Sequence, residues 1–133
     1  MSVKEMVEGI FAECEITVAK ENTALYVGSG DTEVFATPEM IALVEKTAVK
    51  VLEGCLEDDK TSVGTLVNVS HLSATPIGMK VNCRCTLSVI DGRRLVFDVE
   101  VYDECTKVGS GVHERFIVNR ERFSANARQK GKA

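Results

Sequence analysis

The chain has no tryptophan, two tyrosines and five phenylalanines in 133 residues. A surface that stacks nucleic-acid bases has little to be built from. Positive charge is not in surplus either: 16 Lys and Arg against 20 Asp and Glu give a formal net charge of −4, the wrong sign for a phosphate backbone. No apolar run approaches the roughly 20 residues that span a bilayer. The opening MSVKEMVEGIFAECEI puts acids where a secretion signal needs a continuous apolar stretch. Neither nucleic acid nor membrane is an expected partner, and the chain reads as cytoplasmic. Five cysteines, an odd number, then read as free thiols rather than a disulfide framework. No spacing among them supplies the ligands of a metal site. Gly109-Ser110-Gly111 lacks the lysine and the following helix of a phosphate loop.

What is present is ordinary for a globular domain: 44% hydrophobic and 27% charged residues, with a length that fits one domain over residues 1–133. Residues 1–12 read as a turn of helix or a loose lead-in. Phe11–Ala19 reads as a strand, with Cys14, Ile16 and Val18 on one face. A long connection, Lys20–Ala36, holds a possible short strand at Ala24–Val27 and then Gly28-Ser29-Gly30-Asp31, which is loop chemistry. Thr37–Leu56 has helical periodicity: Met40, Ile41, Val44, Ala48, Val51, Leu52 and Cys55 share one stripe. Thr37 is placed to cap it and Pro38 suits its first turn.

Four strand-like segments follow: Ser62–Ser73, Met79–Ile90, Arg93–Asp103 and Thr106–Val118. Asp91-Gly92 signals a hairpin, and Gly109-Ser110-Gly111 signals a bulge or a close backbone approach. One strand, one long helix and four antiparallel strands make an α+β arrangement in which a curved sheet wraps a central helix. This is the hotdog architecture. The segment after Asn119, with Arg120, Arg122, Arg128, Lys130 and Lys132, reads as a solvated terminal stretch.

Three residues stand out chemically. Glu45 sits at the edge of the helix's apolar face, where a carboxylate either reaches solvent or is paired or put to work. His71 shares a face with Val63, Thr65, Val67 and Val69 and points towards the helix. It reads as a core histidine or, with a carboxylate nearby, as an acid–base group working near neutral pH. Thr37 is a cap whose hydroxyl also lies where a helix N-terminus favours negative charge. His113 reads as peripheral. Cys83 and Cys85 read as small buried hydrophobes.

The stretches EVFATPEMIALVEKTA, SVGTLVNVSHLSATPIGMKV, DGRRLVFDVEVYD and VGSGVHERFIVNRERFSANARQK together resemble the fluoroacetyl-CoA thioesterase group of hotdog proteins. The resemblance implies acyl-CoA thioester hydrolysis by a homodimer, with sites at the subunit interface. It implies a catalytic set on Thr37, Glu45 and His71, with Glu45 as nucleophile or as base on water. It implies substrate contacts from Gly64 and from Arg115 of the His-Glu-Arg motif. Coenzyme A enters as part of the substrate, so no cofactor is expected, and the basic tail would suit such an anionic ligand. In one respect the chain departs from that group. The phenylalanine-rich lid that precedes the threonine is replaced by Gly28-Ser29-Gly30-Asp31-Thr32, so a small acyl-CoA is expected without fluoroacetyl selectivity. The alternative is a non-catalytic acyl-CoA-binding protein on the same fold. A dehydratase would want a histidine at the helix start, where this chain has Thr37 and Glu39.

Overall fold

In the computed structural model, residues 4–132 are described. The expected turn of helix within residues 1–12 is not seen from residue 4 onwards, where the lead-in holds only a turn at residues 8–9; residues 1–3 lie outside the described residues.

Five strands form one antiparallel sheet: β1 (Phe11–Thr17), β2 (Lys60–His71), β3 (Lys80–Asp91), β4 (Arg94–Asp103) and β5 (Lys107–Asn119), in the order β1-β3-β4-β5-β2. Period-2 alternation makes each strand half apolar. Leu95, Phe97, Val99 and Val101 of β4 are all buried, as are Val81, Cys83, Cys85 and Leu87 of β3. The β3–β4 hairpin closes at Gly92, whose φ of 61° is the left-handed conformation that such a tight turn requires. A register shift between Leu87 and Val89 reverses the pattern at the end of β3. Val89, expected on the inner face, is instead 39% exposed, while Ile90 packs on the core.

Helix α2 (Thr37–Val51) lies against the inner face of this sheet. It buries Met40, Leu43, Val44, Thr47, Ala48 and Val51. The helix stops five residues earlier than expected: Leu52 and the residues after it turn, with Gly54 at φ 80°. Ala36, not Thr37, is the N-cap, and it offers no side-chain hydrogen bond. Thr37 is already helical, which frees its hydroxyl for another partner.

One further expectation fails for a local reason, and the solvated tail takes a regular form. Ala24–Val27 is a short helix, α1, because the Thr23 hydroxyl accepts from Tyr26 N–H and Gly28 closes it at φ 88°. The basic tail is helix α3 (Arg120–Lys130), started by Asn119, whose side chain accepts from Arg122 N–H. Gly109-Ser110-Gly111 is a close approach: a Cβ on Gly111 would strike the Asn68 carbonyl, and one on Gly109 would lie 2.9 Å from the Met40 sulfur. All five cysteines are free, with Cys55, Cys83 and Cys85 buried.

Candidate active site

Two groups of polar side chains flank α2. The first sits at its N-terminus. Thr37 Oγ1 lies 2.7 Å from His71 Nδ1. The last residue of β2 thus meets the first residue of the helix, since β2 runs past the helix start. Phe35 packs edge-on against the imidazole at 6.3 Å between centroids. Burial holds the His71 pKa below the ordinary histidine value, and the Ser73 backbone works against that shift. The other ring nitrogen, Nε2, is buried and has no hydrogen-bond partner among the described residues. When Thr37 donates to Nδ1, the neutral ring carries its proton on Nε2. A buried donor without an acceptor marks a place for a ligand atom. Both residues line a cleft of about 320 Å³, together with Val34, Phe35, Leu72 and Ser29.

The second group is built around Arg115 on β5, 6% exposed. Its Nε donates to Ser62 Oγ at 2.8 Å and one terminal nitrogen to the Ser62 carbonyl at 3.0 Å. The other terminal nitrogen reaches Glu45 Oε2 at 3.5 Å and donates to His113 Nε2 at 3.2 Å. His113 Nε2 therefore accepts, which leaves the proton on Nδ1 to be donated to the Leu66 carbonyl at 2.8 Å. Burial first, then the Arg115 charge, keeps the His113 pKa below the ordinary value; the Leu66 carbonyl, Glu45 and Glu114 oppose this. Burial also lowers the Arg115 pKa, against the pull of Glu45. Gly64 faces this cluster: a Cβ there would stand 2.7 Å from Glu45 Oε2.

Sequence parity misassigned part of this. A register shift between Gly64 and Leu66 makes Thr65 a bulge, and a bulge reverses which residues face inward. Gly64 pairs with Arg115 and shares its inner face, whereas Val63 and Thr65 do not share the face of His71. His113, read as peripheral, is fully buried and stacks on Phe97 at 6.1 Å between centroids. The signal was available: on a strand, a residue two before Arg115 points the same way as Arg115. Ser62 carried no such signal, because the bulge hides its face.

Within one chain the two groups stay apart. Thr37 and Glu45 are separated by about 12 Å along the helix axis, and Gly64 and His71 by roughly 20 Å along β2. Thr37 and His71 meet; Glu45, Gly64 and Arg115 meet; the two sets do not touch. Among the described residues no three His, Cys, Asp or Glu side chains gather as metal ligands.

A family model for fluoroacetyl-CoA-specific thioesterases matches residues 18–121. The chain belongs to that family. A fluoroacetyl-CoA thioesterase from Streptantibioticus cattleyicolor is 41% identical over 98 residues, covering 74% of this chain and 70% of that protein. The solved structure of the fluoroacetyl-CoA thioesterase FlK superposes with a TM-score of 0.90 at 33% identity, covering 96% of this chain and 98% of that one. A variant of that enzyme solved with acetyl-CoA gives 0.89 at 33% identity, covering 94% and 98%. The hotdog fold is thereby established, and the chain is a thioester hydrolase acting on an acyl-CoA.

The segment before Thr37 is well packed at its base. Phe35 N–H donates to the Thr75 carbonyl and Ala36 N–H to the Asn22 carbonyl. Asn22 in turn donates to Glu39 at 2.7 Å. Gly28 to Thr32 are all exposed and carry no aromatic ring.

Proposed function

We propose that the chain hydrolyses a short acyl-CoA thioester as a homodimer, with each site shared between two copies. The observation that carries this reading is the 2.7 Å Thr37–His71 contact, beside which His71 Nε2 is buried and unpartnered. In this reading the neutral ring's Nε2–H is a hydrogen-bond donor that either orients water or stabilises the departing thiolate, which takes its proton from solvent. Thr37 fixes the ring so that this nitrogen, rather than Nδ1, carries the proton. Glu45 is the nucleophile or the base on water, and both roles need an ionised carboxylate beside the carbonyl carbon. Arg115 holds that carboxylate, and Gly64 leaves the backbone open to the thioester.

The separation of Glu45 from Thr37 and His71 supports a shared site. β2 is an edge strand of 12 residues, and a long free edge is a template for pairing. Two copies joined there by a two-fold axis would run their α2 helices antiparallel. The N-terminus of one helix would then approach the middle of the other, so that Glu45 of the partner subunit completes the site of Thr37 and His71.

A cleft of about 320 Å³ suits a small acyl group. The absence of aromatic residues from 28–32 supports turnover without fluoroacetyl selectivity. Coenzyme A is substrate rather than cofactor, and such a substrate supports a cytoplasmic location. The test is thiol release from purified protein on acetyl-, propionyl-, butyryl-, benzoyl- and fluoroacetyl-CoA. Turnover of the short esters, with fluoroacetyl-CoA not preferred, is expected. No thiol release from any ester would overturn the reading.

A further inference from the structure

We propose that His113 is a positioning residue for the reaction: it accepts one of the two hydrogens on the Arg115 terminal nitrogen that faces Glu45, and so sets how tightly the arginine grips that carboxylate. This rests on the reading above, in which Glu45 attacks the thioester or activates water, and adds what keeps Glu45 free to do so.

A guanidinium presents its N–H donors in a rigid plane. Ser62 takes one side of this plane: Nε donates to its hydroxyl at 2.8 Å and one terminal nitrogen to its carbonyl at 3.0 Å. The other terminal nitrogen has two neighbours, His113 Nε2 at 3.2 Å and Glu45 Oε2 at 3.5 Å. The shorter contact goes to the neutral acceptor rather than to the carboxylate. Charge alone would choose the reverse, since charge-assisted N–H···O bonds close to about 2.7–2.9 Å. His113 therefore holds this nitrogen back from Glu45. Without the imidazole both hydrogens turn to the carboxylate, and Arg115 closes on it. A carboxylate gripped in that way is a weaker nucleophile and a weaker base, and it is drawn from the substrate towards β5.

His113 is itself fixed. Its Nδ1–H donates to the Leu66 carbonyl at 2.8 Å, and the ring stacks on Phe97 of β4 at 6.1 Å between centroids. Burial and then the Arg115 charge disfavour the imidazolium, which has no lone pair to offer Arg115. Two carboxylates act on the ring in the opposite sense. One is Glu45 itself, and the other, Glu114, is paired with Arg94 at 3.0 Å.

The test compares wild type with His113→Leu, His113→Asn and His113→Gln on whichever acyl-CoA ester turns over fastest. His113→Leu and His113→Asn both remove the acceptor. His113→Asn keeps an amide for the Leu66 carbonyl, so the test survives if His113→Leu does not fold. His113→Gln returns an amide oxygen near the place of Nε2. kcat should fall about tenfold in His113→Leu and His113→Asn and stay within about threefold of wild type in His113→Gln, with KM unchanged throughout. On a Glu45→Gln background the same substitutions should not lower the residual rate further. Unchanged kcat in His113→Asn, an equal loss in all three variants, a change in KM instead, or full additivity with Glu45→Gln would overturn the proposal. Absence of turnover in wild type would count against the proposed reaction and not against the grip on Glu45, which a crystal structure reads directly. In His113→Asn the Arg115–Glu45 separation should shorten from 3.5 Å to about 2.8 Å, and in His113→Gln it should not. An unchanged separation in His113→Asn contradicts the assignment.

Discussion

Thr37 Oγ1 and His71 Nδ1 stand 2.7 Å apart, joining the first residue of the central helix to the last residue of the neighbouring edge strand. The contact fixes which ring nitrogen faces the cleft. Thr37→Val keeps the shape and removes the hydroxyl, so kcat should fall by about 10- to 100-fold with the fold intact. His71→Ala should fall further, by roughly 10²–10⁴-fold, the range of a positioned acid–base group. Steady-state kinetics beside a thermal melt separates these effects from unfolding.

The same histidine sets a pH dependence. Burial lowers its pKa, so the neutral ring persists to more acid pH than an exposed imidazole. Activity that needs neutral His71 should hold at neutral pH and fall on acidification, with a midpoint below about 6.5. A pH–kcat/KM profile with its acid limb at or above that value would contradict the assignment.

Gly64 and Glu45 make a separable test. A Cβ at Gly64 would lie 2.7 Å from Glu45 Oε2, and a glutamate tip can swing aside. Gly64→Ala should therefore fold normally and displace the carboxylate. A misplacement on the order of 1 Å costs up to about 10²-fold in rate. Loss of kcat with a melting temperature within about 3 °C of wild type is expected.

His113 links stability to pH. It accepts from Arg115 and donates to the Leu66 carbonyl. His113→Leu takes the imidazole from the Leu66 carbonyl and leaves Arg115 with Glu45 and Ser62 alone, at a cost of about 1–3 kcal/mol. Its folded-state pKa is depressed, so the unfolded chain binds the proton more readily. The stability that His113 contributes is then present above about pH 6.5, the unfolded value, and is lost as pH falls towards the folded one. Denaturant titrations from pH 8 to 5 should show a shallower pH dependence in His113→Leu than in wild type.

Gly111 tests the core. It has φ 155°, and a Cβ there would strike the Asn68 carbonyl, which is backbone and cannot give way cheaply. Gly111→Ala should lose about 3 kcal/mol or more, read as a drop in melting temperature.

The order of strands and helix was legible because alternation and helical period are local signals. Leu95 to Val101 face inward as their spacing implies, and Asp91-Gly92 turns where expected. Glu45 was found at the edge of the apolar face, and its side chain is 44% exposed. What the pattern could not show were the bulges near Thr65 and Ser88, because a bulge leaves composition unchanged while it reverses parity. That is why Gly64 and Ser62 change sides and Val89 turns outward; His113 was underrated although its place two residues before Arg115 was legible. The Thr37 cap failed by one residue, and that one residue gives its hydroxyl to His71. The chain's own helix also keeps Glu45 two turns from Thr37, a distance that the spacing of eight residues already implies.

That distance makes mixed dimers the most direct test. His71→Ala and Glu45→Ala proteins are each expected to be inactive as homodimers. Unfolded together and refolded as a one-to-one mixture, half of the dimers are hybrids. In each hybrid one site combines the intact His71 of one chain with the intact Glu45 of the other. Thiol release should return to about a quarter of the wild-type rate. If the mixture stays as inactive as its components while hybrid dimers are demonstrably present, the site is not shared between two copies.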